Sequence, residues 1–272
     1  MRIATKIIIV LLALPFWNGP NPVFAQSSED DFVLSGITVI ARDVKLSATW
    51  YRKYLDIAIK EYKPRQHVKM KAGDFTLFIK QGNNVLIRSQ LNLPKGKKYI
   101  NGIEKIGFAT NNFEAVKENL LASGQKILED VTVDENLGLR YFLTSDPDGN
   151  KVQILDRPNP AVNPADSVIT EAVFFSVMSS DYINTMRWYE QNIDFTEIKT
   201  VNESKIHYQN LLQKGHVIFE IIHLPYESLE TTEFMPLDRV LAGFDQIVFK
   251  SGEGKISTFE LDNNANKIQW LR

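Results

Sequence analysis

The sequence predicts an α+β protein assembled from repeated strand–helix–three-strand (βαβββ) units. Three observations predict it. An alternating apolar stretch, an amphipathic helix and further strands follow one another from Val33, and the same order restarts at Ile103. Beyond a proline-rich linker, short blocks of the first half return in the same order. The turn Asp146-Pro147-Asp148-Gly149-Asn150 feeds directly into a strand carrying Val152, Ile154 and Leu155. Pro147 pre-sets φ at about −65° in that turn, and Gly149 accepts a positive φ.

Residues 1–25 read as a secretory signal peptide. Arg2 and Lys6 precede an apolar run from Ile7 to Trp17, and Val23-Phe24-Ala25 forms a cleavage site before Gln26. Spanning a bilayer takes roughly 20 apolar residues, about twice this run, so cleavage and export to the periplasm are expected rather than a membrane anchor. No cysteine follows the run, which excludes a lipoprotein anchor. Loss of Arg2 and Lys6 takes the net charge from −2 to about −4. There is no basic stripe for nucleic acid. With no cysteine in the chain, disulfides and thiol catalysis are excluded.

The first strand runs from Val33 to Ala41, with Ile37, Val39 and Ala41 on one face. A helix follows from about Leu46 to Leu55, capped by Asp43 or Ser47. Strands are expected at 57–62, 67–71, 75–79 and 85–88. After a Lys-rich connection, 103–110 alternates as a strand and 113–122 reads as a helix closed by Gly124. Strands at 127–133, 139–143 and 151–155 complete a first domain over residues 33–157. Pro158, Pro160 and Pro164 stiffen a linker over 158–167.

The second domain, 168–272, reads as a copy. Asp43, Trp50-Tyr51 and Asp56 return as Asp181, Trp188-Tyr189 and Asp194. Gly102, Ile106 and Phe108 return as Gly243, Ile247 and Phe249, and Asp146 with Asn150 to Gln153 returns as Asp262 with Asn266 to Gln269. The spacing between Phe249 and Asp262 is 25 residues shorter than that between Phe108 and Asp146. That deletion takes away the counterpart of the 113–122 helix. The apolar sheet face it would leave bare implies a cover from the first domain or from a second chain, as in a homodimer.

These blocks, in this order, resemble the vicinal oxygen chelate superfamily of glyoxalases, bleomycin-resistance proteins and extradiol dioxygenases. The resemblance covers nearly all of the chain after residue 25. It implies curled sheets around a concave cleft, with two His and a Glu as metal ligands on the first and last strands of the modules. At those positions stand Gly36, Arg88 or Ser89, Lys105 and Gln153 in the first domain, and Phe174, Glu220, Gln246 and Gln269 in the second. No facial triad of two imidazoles and a carboxylate can be built from them.

Strand parity turns Lys105 and Gln153 away from the helix-packed face. With Arg88 they are the expected polar contacts of a pocket, and two cations favour an anionic ligand. The leading expectation is therefore an exported protein that binds a small molecule without a transition metal or other cofactor. Lys105→Ala should then weaken binding and leave stability little changed. An alternative from family precedent is a metal-dependent lyase, isomerase or dioxygenase with a rebuilt site, in which Glu220, Gln246 and Gln269 hold a weakly bound divalent cation. A structural or interaction protein is the third expectation. The four histidines read as surface or rim residues.

Overall fold

The structure, a computed structural model, describes residues 32–159, 168–204, 207–230, 235–236, 238–252, 257–262 and 264–271. The expected signal peptide and linker residues 160–167 lie outside them. Among the described residues, no helix is long and apolar enough to cross a membrane.

Four modules follow one another. The first holds β1 (Val33–Ala41), α1 (Val44–Leu55), β2 (Ala58–Lys63), β3 (His67–Ala72) and β4 (Phe75–Gln81). Two short strands, β5 (Val85–Leu86) and β6 (Tyr99–Ile100), lead to the second. It contains β7 (Gly102–Thr110), α2 (Phe113–Ala122), β8 (Ile127–Asp134), β9 (Leu139–Ser145) and β10 (Lys151–Asp156). The third has β11 (Glu171–Ser179), α3 (Tyr182–Ile193), β12 (Thr196–Ser204), β13 (His207–Lys214) and β14 (Val217–His223). After β15 (Ser228–Leu229) and β16 (Val240–Leu241) comes the fourth: β17 (Gly243–Lys250), β18 (Ser257–Leu261) and β19 (Lys267–Leu271).

The halves of the chain do not keep their strands to themselves. One sheet has the order β18-β19-β17-β1-β4-β3-β2 and the other β12-β13-β14-β11-β7-β10-β9-β8. Modules one and four thus share the seven-stranded sheet, and modules two and three share the eight-stranded one. Antiparallel seams join β1 to β17 and β7 to β11. A single apolar core spans all four modules, from Ile37 and Leu77 through Phe108 and Val152 to Phe219 and Phe249.

Two expectations need correction. The segment 85–88 is not the last strand of the first module. It yields two residues paired to β16, followed by a 3-10 turn over Arg88–Gln90, and β4 closes the module instead. Among the described residues the fourth module is short by a strand as well as a helix, with residues 251–256 between β17 and β18. Its inner face has the cover that the deletion implied: Ile247, Phe249, Ile268 and Trp270 are all buried. Phe32 supplies the cover from the approach to β1, stacking on Phe249 at 5.2 Å and tilting over Trp270 at 6.1 Å, with Phe195 edge-on to it at 5.7 Å.

Two matching polar clasps tie the sheets together. Asp43 caps α1 by accepting from the amides of Lys45 and Leu46, and Asp56 ends the helix in a left-handed conformation; Asp181 and Asp194 do the same for α3. From α1 of the seven-stranded sheet, the Tyr51 hydroxyl donates to Asp146 Oδ2 at 3.1 Å in the β9–β10 turn of the other sheet. Asp146 also accepts from the amides of Asp148 and Asn150 and from Asn150 Nδ2. In the mirror arrangement, Tyr189 of α3 donates to Asp262 Oδ2 at 2.9 Å, and Asn266 closes onto Asp262 through its amide and side chain. Gly149 and Ala265 occupy the same left-handed position of the two turns. Asp148 adds an ion pair with Arg42 at 2.7 Å and a bond from Ser47.

Each tyrosine leaves an acceptor in a dry interior if it is lost. Tyr51→Phe and Tyr189→Phe should each cost about 1–3 kcal/mol in urea unfolding, with the fold retained because no apolar volume changes.

Burial pushes the Asp146 carboxyl up from 3.8 to about 6, against the opposing hydrogen bonds from Asn150. The folded state therefore holds this proton more tightly than the unfolded chain. The resulting stabilisation is complete below the unfolded value and is lost as pH rises through the folded one. Asp146→Asn cannot titrate there. The stability of the native protein relative to that variant should fall by about 3 kcal/mol between about pH 3.5 and 7, read from paired unfolding curves.

Candidate functional site

Each sheet has one face on the shared core and one face turned away from it, and strand pairing aligns the same four positions on both outward faces. In the seven-stranded sheet Thr38 stands opposite Gln246 and beside Phe78, with Gln269 on the next strand. In the eight-stranded sheet the corresponding residues are Ser176, Lys105, Glu220 and Gln153. The candidate residues are thus regrouped across the halves of the chain. Lys105 and Gln153 meet Glu220, whereas Gln246 and Gln269 join residues of the first module.

Parity places Lys105 and Gln153 away from the core, where Ile106, Phe108, Val152 and Ile154 are buried. The face they share is filled. Phe174, Leu155, Ala109, Leu211 and Ile218 form a second apolar cluster on it. Phe174 lies across Gly107 so closely that a Cβ there would stand 2.6 Å from that of Phe174. Lys105 sits over the Phe174 ring, 5.2 Å from its centroid, and its Nζ is 2.9 Å from Glu220 Oε2. Gln153 Oε1 and Ser176 Oγ are buried beside this pair with no protein partner.

Arg88 does not reach this cluster. It pairs with Glu104 and donates to the Ile103 carbonyl at 3.3 Å. Burial alone would raise the Glu104 carboxyl, but Arg88 and Lys151 outweigh it and hold the group below the usual carboxylate range. The physical reason for Arg88's absence is that its segment leaves the sheet after β4.

The outward face of the seven-stranded sheet is an open groove of about 730 Å³. Its floor is uncharged: Thr38 donates to Gln246 Oε1 at 3.5 Å, and Gln246 Nε2 donates to Gln269 Oε1 at 2.8 Å. Gly36 keeps the floor low, because a Cβ there would meet the Thr76 carbonyl at 2.9 Å. Lys69, Lys71, Lys80 and Lys250 line the groove against two acids, Glu61 and Asp74. Glu61 is already engaged by Lys63 at 3.1 Å and His67 at 3.2 Å. Lys69, Lys71 and Lys250 have no ion-pair partner among the described residues. Sequence reasoning missed these lysines, although a signal was there: His67, Lys69 and Lys71 alternate with the buried Val68 and Met70.

Neither face fits a transition metal. The four aligned positions of the eight-stranded face offer one carboxylate, already 2.9 Å from an ammonium. The groove floor offers a hydroxyl and two amides. Among the described residues, no three His, Cys, Asp or Glu side chains converge. The trio Glu220, Gln246 and Gln269 is divided between the two sheets. His223 is buried, with Nδ1 3.0 Å from the Ser179 carbonyl, which corrects its reading as a surface residue. His216 falls in the turn before β14. The His207 side chain lies outside the described residues.

Residues 34–154 match the model of the Glyoxalase/Bleomycin resistance protein/Dioxygenase superfamily. Among solved structures, glyoxalase I from Zea mays superposes with a TM-score of 0.60 at 11% identity, covering 89% of this chain and 92% of that one. A putative dioxygenase from Bacillus subtilis superposes with a TM-score of 0.57 at 11% identity, covering 88% and 84%. At such identities the likeness shows the fold. No curated protein matches the chain at a significant level.

The Lys105–Glu220 contact changes one expectation. Removing Lys105 strands a buried carboxylate, so stability does not stay level. Lys105→Met should cost about 3 kcal/mol or more, and adding Glu220→Met should recover most of it. Urea unfolding of the two single variants and the double variant gives the coupling directly.

Proposed function

We propose, for a chain that belongs to the Glyoxalase/Bleomycin resistance protein/Dioxygenase superfamily, that it is an exported protein binding a small anionic molecule without a transition metal, in the groove of the seven-stranded sheet. One observation carries the reading: Lys69, Lys71 and Lys250 border a groove whose floor, Thr38, Gln246 and Gln269, has no charge to neutralise them. Half-buried ammonium groups facing a concave, amide-lined floor attract an anion and hydrogen-bond it strongly. The amides supply both donors and acceptors for orienting a polar ligand. Export and a periplasmic location rest on the charged start, apolar run and small-residue site of residues 1–25.

The Lys105–Glu220 face is the weaker candidate for the same role. Its cation already has a carboxylate partner, and Phe174 fills the space above Gly107.

The protein purified from its own host should carry a co-purifying anion in native mass spectrometry and no stoichiometric metal in elemental analysis. Lys71→Gln should weaken that anion about ten- to hundredfold, the effect of losing one charge-assisted hydrogen bond of about 1.5–3 kcal/mol. Stoichiometric zinc, iron, nickel or manganese would refute the metal-free part. An affinity unchanged in Lys71→Gln and Lys69→Gln would remove the groove.

A further inference from the structure

The two banks of the groove differ in chemistry. On one side β3 carries Lys69 and Lys71, whose strand neighbours Val68 and Met70 are buried in the core. On the other side the lining ends at Gln269 and Leu271 of β19, and beyond them lies the edge strand β18. Directly opposed residues of an antiparallel pair share a face. Phe259 pairs with Gln269, Leu261 with Lys267 and Ser257 with Leu271. Gln269 and Leu271 line the groove, while their neighbours Ile268 and Trp270 point into the core. Phe259 and Leu261 therefore project on the groove side, and they are 56% and 55% exposed. Lys267, the cation on that bank, is neutralised by Asp245 at 2.7 and 2.9 Å. One bank is basic, β18 is apolar with the neighbouring Lys267 charge cancelled, and the floor of Thr38, Gln246 and Gln269 between them is neutral and polar, with Lys250 of β17 standing beside Leu271 at one end of it.

We infer that the ligand is an amphipathic organic anion, its acidic end at Lys69 and Lys71 and its apolar part on Phe259 and Leu261. This rests on the anion reading of the groove and adds the second half of the ligand. Size supports it. Five strand spacings of about 4.8 Å separate β18 from β3, about 24 Å along a flat sheet and less across a curved one. A small acid such as acetate reaches only one bank. A chain of about a dozen carbons, roughly 15 Å long at about 1.25 Å per methylene, covers most of the four spacings from β3 to β19 within a groove of about 730 Å³, and Phe259 and Leu261 on the adjacent β18 stand at its far end. Exposed apolar side chains gain most from a ligand that takes them out of water.

Isothermal titration of the full-length secreted protein with three probes below their micelle concentrations separates the parts: dodecanoate, acetate and dodecyltrimethylammonium. Dodecanoate should bind at least about tenfold more tightly than either of the others. The double variant Lys69→Gln/Lys71→Gln should erase its advantage over dodecyltrimethylammonium. Phe259→Ser/Leu261→Ser, at exposed positions that leave the core intact, should weaken dodecanoate at least about tenfold and leave acetate unchanged. Acetate binding as tightly as dodecanoate, with both lost in the lysine variant, would overturn the amphipathic inference and leave the anion reading standing. The cationic probe binding as well as dodecanoate would overturn the anion reading itself, and so would failure of all three at millimolar concentration. A dimer in light scattering that the Phe259→Ser/Leu261→Ser variant dissociates would reassign the apolar bank to a second copy of the chain and overturn the inference.

Discussion

The fold depends on a buried carboxylate in a tight turn, gripped by a tyrosine from the other sheet. Asp146 and Asp262 each accept a tyrosine hydroxyl, two backbone amides and an asparagine side chain. Without those donors, burying a carboxylate would cost several kcal/mol; with them the turn becomes a fixed socket. The helix of module one seats in the turn of module two, and the helix of module three seats in the turn of module four. Sheet pairing runs the other way, joining module one to four and two to three. Every module is thus held by two different neighbours through two different kinds of contact. No module can leave without opening both a sheet seam and a clasp, which makes the four modules one cooperative core.

The shortened fourth module shows how local the repair of a deletion can be. Losing a helix and a strand ought to bare Ile247, Phe249, Ile268 and Trp270. An aromatic residue just ahead of β1, Phe32, sits on Phe249 and Trp270 instead, flanked by Phe195 and topped by the Lys214 ammonium 5.0 Å from its ring. Because β1 and β17 are neighbours in the sheet, a side chain just ahead of β1 is already in place over the gap. An exposed apolar sheet face, the basis for reading the protein as an interaction module, does not exist among the described residues at this position.

Much of this was legible in the sequence, and the limits have physical causes. The bounds of β1 and α2 follow from alternation and helical spacing alone. Of the two caps the sequence offered for α1, the structure takes Asp43, and the helix starts at Val44, two residues before the expected Leu46. Parity placed Lys105 and Gln153 on the outward face, because side-chain alternation has a fixed period. What they would meet there was not legible. Glu220 reaches Lys105 only because β11 lies beside β7, and the pairing of distant strands leaves no periodic trace in either. Arg88 was misplaced for a related reason. Val85 to Arg88 has strand composition, but its two-residue pairing to β16 is decided by long-range geometry.

The difference between the open groove and the filled face comes down to one exchange of residues across the seam. In the seven-stranded sheet Gly36 of β1 stands opposite Val248 of β17. In the eight-stranded sheet the same positions hold Phe174 of β11 opposite Gly107 of β7. Each seam has one glycine at this position, for different reasons: a Cβ on Gly107 meets Phe174 across the seam, whereas one on Gly36 clears Val248 and meets the Thr76 carbonyl of β4. The large partner settles what happens above it. Phe174 brings a ring that gathers Leu155, Leu211 and Ile218 into an apolar plug and gives Lys105 a surface to lie on. Val248 is too short to bridge its sheet, so the floor of Thr38, Gln246 and Gln269 stays open to ligand. On the plugged face the charges of Lys105 and Glu220 meet each other, while Gln153 Oε1 and Ser176 Oγ stay buried beside them without a protein partner. The lysines of the other face stand over a floor that offers them no such partner, and their charge is left for a ligand to meet.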